Sequence, residues 1–126
     1  MAFWNLSKRE DVIRFLFFNP EKGRIMFNMW TEGKIGNTGE VTKALIAEKR
    51  AGHLFDDAHR VQVPTLLLVG VSDRNGALPS SLRLKEQIAK STIMFFEKSA
   101  HFPDFEEQDL FVQKVKRWLM ENDLQR

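Results

Sequence analysis

Apolar residues recur at helical spacing through the first half of this chain and bunch into continuous runs in the second. In "LSKREDVIRFLFF" Ser7 and Glu10 hold the spacing of a capping box, in which a hydroxyl and a carboxylate satisfy the free N–H groups of a helix start. Asn19-Pro20 ends that helix, because a proline drives the residue before it out of helical backbone. Pro20 then suits the first turn of a second helix, "PEKGRIMFNMWTEG". There Ile25, Met26, Met29 and Trp30 share one face and Gly33 closes the helix. "KIGNTG" reads as a loop, and a third helix, "EVTKALIAEKRAG", follows Thr38 and closes at Gly52. Phe3, Trp4, Phe15, Phe17, Phe18, Phe27 and Trp30 make this half aromatic. A small helical core is a better use of them than a ligand lining.

From Val61 the pattern changes. "VQVPTLLLVG" is a continuous apolar run with a proline near its start, the signature of a strand buried on both faces. "LPSSLRLKEQIA" predicts a helix with Leu82, Leu84 and Ile88 turned inward and Pro79 at its start. "STIMFFE" predicts a second strand, and "DFEEQDLFVQKVKRWLMEND" one closing amphipathic helix that buries Leu110, Phe111, Val115, Trp118 and Leu119. Strand, helix, strand, helix defines an α/β class with a right-handed parallel unit. In such a unit, ligand chemistry gathers at the carboxyl ends of the strands. "SDRNGALP" and "KSAHFPD" occupy those ends. Residues 1–60 thus form a helical region and residues 61–126 a β-α-β-α segment.

Composition narrows the picture. The chain has 126 residues, 43% hydrophobic and 29% charged, enough for one globular domain with a core of its own. A net charge of +2, with the basic residues dispersed, points to neither nucleic acid nor a membrane surface as partner. No apolar run approaches the roughly 20 residues of a membrane span, and "MAFWNLSKRED" has no signal-like pattern. The absence of cysteine removes thiol catalysis and thiolate metal sites, and a cytoplasmic location is the expectation. His101, Asp104, Glu106 and Glu107 lie close together in "HFPDFEE" without a second histidine nearby. Acids there suit a helix start, so no metal or other cofactor is expected.

Ser72 and Asp73 stand side by side after the first strand. A nucleophile elbow needs G-x-S-x-G, since its strand turns at once into a closely packed helix. Here Gly70 and Ser72 fit, but Arg74 takes the last glycine position and "RNGAL" intervenes before the helix. Ser72 is therefore not expected to be a nucleophile. Asp73 suits another task, accepting a hydrogen bond from a histidine ring and fixing its tautomer. His101 lies in the loop after the next strand. Adjacent strands sit about 5 Å apart, so their terminal loops can bring the two side chains together.

Residues 61 to about 119, with "VPTLLLVGVSD" and "SAHFPDFEE", resemble the C-terminal segment of the α/β-hydrolase family. Within the family, the proline iminopeptidase-like and related peptidase or esterase branches are nearest. The resemblance implies that Asp73 is the triad acid and His101 the triad base, and that residues 1–60 correspond to a helical cap. Ala100 departs from the glycine that commonly precedes the family's histidine.

The family order also requires a serine upstream of the acid, and no G-x-S-x-G precedes Asp73. The oxyanion donors are missing as well. The expectation is thus a truncated, partial α/β-hydrolase fold that carries acid and base for ester, amide or peptide hydrolysis and is inactive alone. Its strand near Thr65 to Gly70 would have one open edge, which predicts a homo-oligomer such as a dimer, or a complementing chain. Two alternatives stand beside this reading: a non-catalytic dimerising remnant, and a small α/β binding module. The second is weakened because no glycine-rich phosphate loop follows either strand.

Overall fold

The computed structural model describes residues 9–32, 47 and 55–122, the side chains of 30–32 apart. Ser7, Phe3, Trp4, Gly33, "KIGNTG" and the expected third helix lie outside the described residues, except for Ala47 within that helix.

Helix α1 (Arg9–Leu16) carries Glu10 and Asp11 in its first turn and Arg14 in its last, an order that complements the helix dipole. Asn19 ends the connection and opens the next helix. Its side-chain oxygen accepts the N–H groups of Glu21 at 2.9 Å and Lys22 at 3.3 Å, so it caps α2 (Pro20–Glu32), with Pro20 at the first position. Gly23 lets the two helices close up, since a β-carbon there would lie 2.7 Å from the Phe17 ring and 2.8 Å from Ile13. Ile13, Phe15, Leu16 and Phe17 form the buried cluster, packed by Val12, Met26 and Phe27 and also by Phe102 and Phe105. The two halves of the chain therefore share one core. The apolar face expected of α2 is only partly used: Ile25 and Met29 are exposed, as is Phe18 in the connection.

Across the α1–α2 pair, Arg24 donates from Nε and Nη2 to the two carboxylate oxygens of Glu10, at 3.1 and 2.9 Å. This hydrogen bond to Arg24 holds the Glu10 carboxyl below its ordinary value. A depressed carboxyl pKa contributes stability above the unfolded-state value, and the contribution fades as pH falls through the folded one. Both groups are solvent-exposed, so the effect is small and screened by salt. Glu10→Gln is expected to lower the melting temperature slightly at pH 7 and low salt. The difference should vanish in 1 M salt and shrink as the pH is taken progressively below the ordinary carboxylate range; thermal denaturation read by circular dichroism follows both dependences.

A single 3₁₀ turn (Ala58–Arg60) leads to β1 (Thr65–Gly70), and α3 (Ala77–Gln87) connects it to β2 (Ser91–Phe96). The strands pair in parallel, in register from Thr65 opposite Ser91 to Gly70 opposite Phe96. Among the described residues the sheet has these two strands alone. That limits burial: Val69 and Phe96 are buried, but Leu66, Leu67 and Leu68 remain half-exposed, short of the two-faced burial their apolar run predicts.

Two further expectations are corrected. Leu82 is 45% exposed, while Leu84 is half-buried and Ile88 is buried just past the helix end. A helix turns about 100° per residue, so Leu82 and Leu84 fall on nearly opposite faces and cannot both reach the sheet. The closing helix is two helices, α4 (Pro103–Glu106) and α5 (Gln108–Glu121), parted at Glu107 with φ −126° and ψ 52°. On α5 Trp118 is buried, Phe111, Val115 and Leu119 are half-buried, and Leu110 points outward. The Phe111 ring meets Phe96 at 5.9 Å between centroids. Lys114 lies over that same Phe96 ring and donates to the Phe95 carbonyl at 2.7 Å, which fastens α5 to the end of β2.

Candidate active site

The two strands stop pairing as strands after Gly70 and Phe96, but their backbones stay joined. Val71 N–H donates to the Phe96 carbonyl at 2.9 Å and Ser72 N–H to the Ser99 carbonyl at 3.1 Å. The loop bearing Asp73 is thus zipped to the loop bearing His101. The approach is close at one point. A β-carbon on Gly70 would stand 1.9 Å from the Ala100 carbonyl oxygen, so glycine is the residue the contact tolerates.

Asp73 turns back at once, its N–H donating to the Gly70 carbonyl at 3.1 Å. Its Oδ1 accepts the Asn75 N–H at 2.6 Å, an Asx-type turn that fixes the carboxylate plane. Its Oδ2 lies 2.7 Å from His101 Nδ1. The Asp73 side chain is 2% exposed and the His101 side chain 37%. A carboxylate that deep needs partners for its lone pairs, and it has them in Asn75 and His101. The structure therefore brings together the two residues that the strand order singles out.

His101 is held from three sides. Its backbone N–H donates to the Leu16 carbonyl at the end of α1, at 2.8 Å. Its ring meets Phe102 edge-on, with centroids 4.9 Å apart, and Phe102 in turn stacks on Phe17 at 5.1 Å. Beneath the loop run two consecutive glutamates. Glu107 Oε2 accepts the Lys98 N–H at 3.0 Å and the Ser99 hydroxyl at 2.6 Å. Glu106, 5% exposed, accepts the Ala100 N–H and the Asn19 N–H, one on each oxygen and both at 2.8 Å.

Sequence reasoning missed this second pair of roles. It placed Glu106 and Glu107 at a helix start, and they do lie there, Glu106 in the first turn of α4 and Glu107 just ahead of α5, but both carboxylates also turn back on the loop that precedes α4. The signal was available in the placement of both acids straight after "FPDF", whose Phe105 belongs to the core and cannot face water with them. Apart from the Ser99 hydroxyl their donors are backbone N–H groups, which no side-chain pattern reveals. Asp104 is exposed and does not join them.

The chemistry of the pair follows from its contacts. With a carboxylate at Nδ1, that nitrogen carries the ring proton and Nε2 keeps its lone pair. An imidazole so oriented accepts a proton at Nε2, and the neighbouring carboxylate stabilises the cation that results. Ser72 stays outside this arrangement as an elbow, since α3 begins only at Ala77 and its own N–H is spent on Ser99. Among the described residues no helix is long and apolar enough to cross a membrane.

Fold and site together define an α/β chain with a buried acid and a half-open histidine at adjacent strand ends. No protein-family model matches the chain, and no curated protein does.

Proposed function

We propose that this chain supplies the base and the orienting acid of a serine-hydrolase site of the α/β-hydrolase kind, acting on an ester, amide or peptide bond. His101 takes the proton of the attacking group and returns it to the leaving group, and Asp73 holds the ring. The observation that carries this reading is the 2.7 Å contact between His101 Nδ1 and a carboxylate that is itself locked by Asn75. The 126 residues contain no nucleophile elbow, so the reading assigns them the acid and base alone, and the attacking serine and the oxyanion donors lie outside these residues.

A specific observation also favours a second reading, that of a non-catalytic dimerising remnant. The half-exposed leucines of β1 and the two-stranded sheet of the described residues make a surface on which another strand could pair.

The two readings part on the histidine. Hydrolysis of p-nitrophenyl acetate, with water as the acyl acceptor, reads the basicity of an accessible imidazole without needing a serine. We expect a slow esterolysis that His101→Ala reduces at least tenfold and His59→Ala leaves unchanged, with no serine labelled by a fluorophosphonate. Equal rates in His101→Ala and the unmodified chain, with a dimer by light scattering, would leave the remnant reading in possession. Stoichiometric labelling of Ser72 would overturn its exclusion as a nucleophile.

A further inference from the structure

The Glu106 carboxylate sits where three parts of the chain converge: the α1–α2 corner, the histidine loop and the short helix α4. It is almost fully buried, and each of its oxygens accepts one backbone N–H, from Asn19 and from Ala100. Ala100 immediately precedes His101, whose own N–H is bound to Leu16, at the same corner. Lys22 completes the junction, its ammonium donating to the Glu106 carbonyl at 2.5 Å.

We propose that Glu106 is a positioning residue for the Asp73–His101 pair: by bracketing the Asn19 and Ala100 N–H groups, it makes the α1–α2 corner the wall against which the histidine loop is set. This rests on the reading of Asp73 and His101 as an acid–base pair and adds the device that regulates its geometry. The physical reason is acceptor count. A carboxylate offers an acceptor on both oxygens, and two N–H donors converge on it. Glutamine offers one acceptor and one NH₂ group, so in Glu106→Gln one of the two N–H groups must face another donor. In a buried site, water is poorly placed to relieve that conflict. The loop then separates from the corner, and the His101 ring, 2.7 Å from Asp73 in the intact protein, loses its register.

Nitrogen NMR of the imidazole ring is the test, because tautomer and Nδ1 protonation report the Asp73 contact directly and His59 serves as an internal reference in the same spectrum. In the unmodified chain His101 is expected in the Nδ1–H form, with a downfield Nδ1 proton. Glu106→Gln is expected to lose that proton signal and shift the ring to a mixed tautomer, with the far-ultraviolet circular dichroism and the His59 signals retained. An Nδ1–H signal as strong in Glu106→Gln as in the unmodified chain overturns the proposal. Asp73→Asn separates the two layers: if it also leaves the signal intact, the pair itself is wrong, whereas a signal lost in Asp73→Asn alone refutes only the role of Glu106. Should Glu106→Gln fail to fold, amide hydrogen exchange in the unmodified chain decides. The Asn19, Ala100 and His101 amides are expected to exchange as one unit, and Asn19 exchanging more than tenfold faster than Ala100 would overturn the bracket.

Discussion

Gly70→Ala is expected to destabilise the fold by about 3 kcal/mol, the upper range for forcing an extra carbon into a packed site. The added carbon would stand 1.9 Å from the Ala100 carbonyl oxygen and 2.7 Å from that of Ser99, so the obstacle is backbone and no rotamer change relieves it. Nor can the loop retreat cheaply. Ala100 N–H is bound by Glu106, His101 N–H by Leu16, and Ser99 accepts from Ser72. In a domain of this size such a loss corresponds to a fall in melting temperature of roughly 10 °C. Urea unfolding should show a lower midpoint with an unchanged slope. A midpoint equal to that of the unmodified protein would mean that the two loops are not in contact in solution.

Asp73→Asn leaves the shape of the site almost unaltered and is expected to abolish its chemistry. Asparagine keeps one acceptor oxygen. The Asn75 N–H claims that oxygen in the native turn, which aims the NH₂ group at the imidazole. Nδ1 must then accept, the ring proton moves to Nε2, and the nitrogen that should take a proton already holds one. In complete serine-hydrolase triads this exchange of tautomer lowers turnover by about 10⁴. On the proposed reading, a loss of the same order is expected wherever His101 serves a serine nucleophile. In the isolated chain, the His101-dependent part of p-nitrophenyl acetate hydrolysis should disappear while the unfolding midpoint changes little. Retained esterolysis in Asp73→Asn would show that the ring works without its acid.

The pattern of residues anticipated the strands, their parallel order and the meeting of Asp73 with His101, for a reason that can be stated. Apolar runs such as "TLLLVG" and "STIMFF" impose extended backbone, and the helix between them imposes a parallel return. Two loops at the same end of neighbouring strands then have little freedom to miss each other. Burial was less legible. Leu82 satisfied an apolar count but not the geometry of a helix on one face, and Leu66 to Leu68 read as interior although only two strands stand in the described sheet. The break at Glu107 was illegible for a further reason. Glu and Gln are good helix formers, and what parts α4 from α5 is a carboxylate drawn back to Lys98 and Ser99, a tertiary demand that local propensity does not contain. The role of Glu106 was illegible on the same ground, since both of its partners are backbone N–H groups that leave no mark in the pattern of side chains.

The bracket at Glu106 also bears on the order in which the native state is assembled. Asp73 and His101 are 28 residues apart, but Glu106 and Asn19 are 87 apart. Closing the longer loop costs about 1 kcal/mol more in chain entropy, by the logarithmic dependence on length. The strand–helix–strand unit can therefore bring acid and base into proximity early, from contacts local to it, while the clasp that seats the histidine loop waits until the two ends of the chain meet. A refolding experiment would then see β-structure first and the fixed imidazole last, so that the site becomes functional only in the final step of folding.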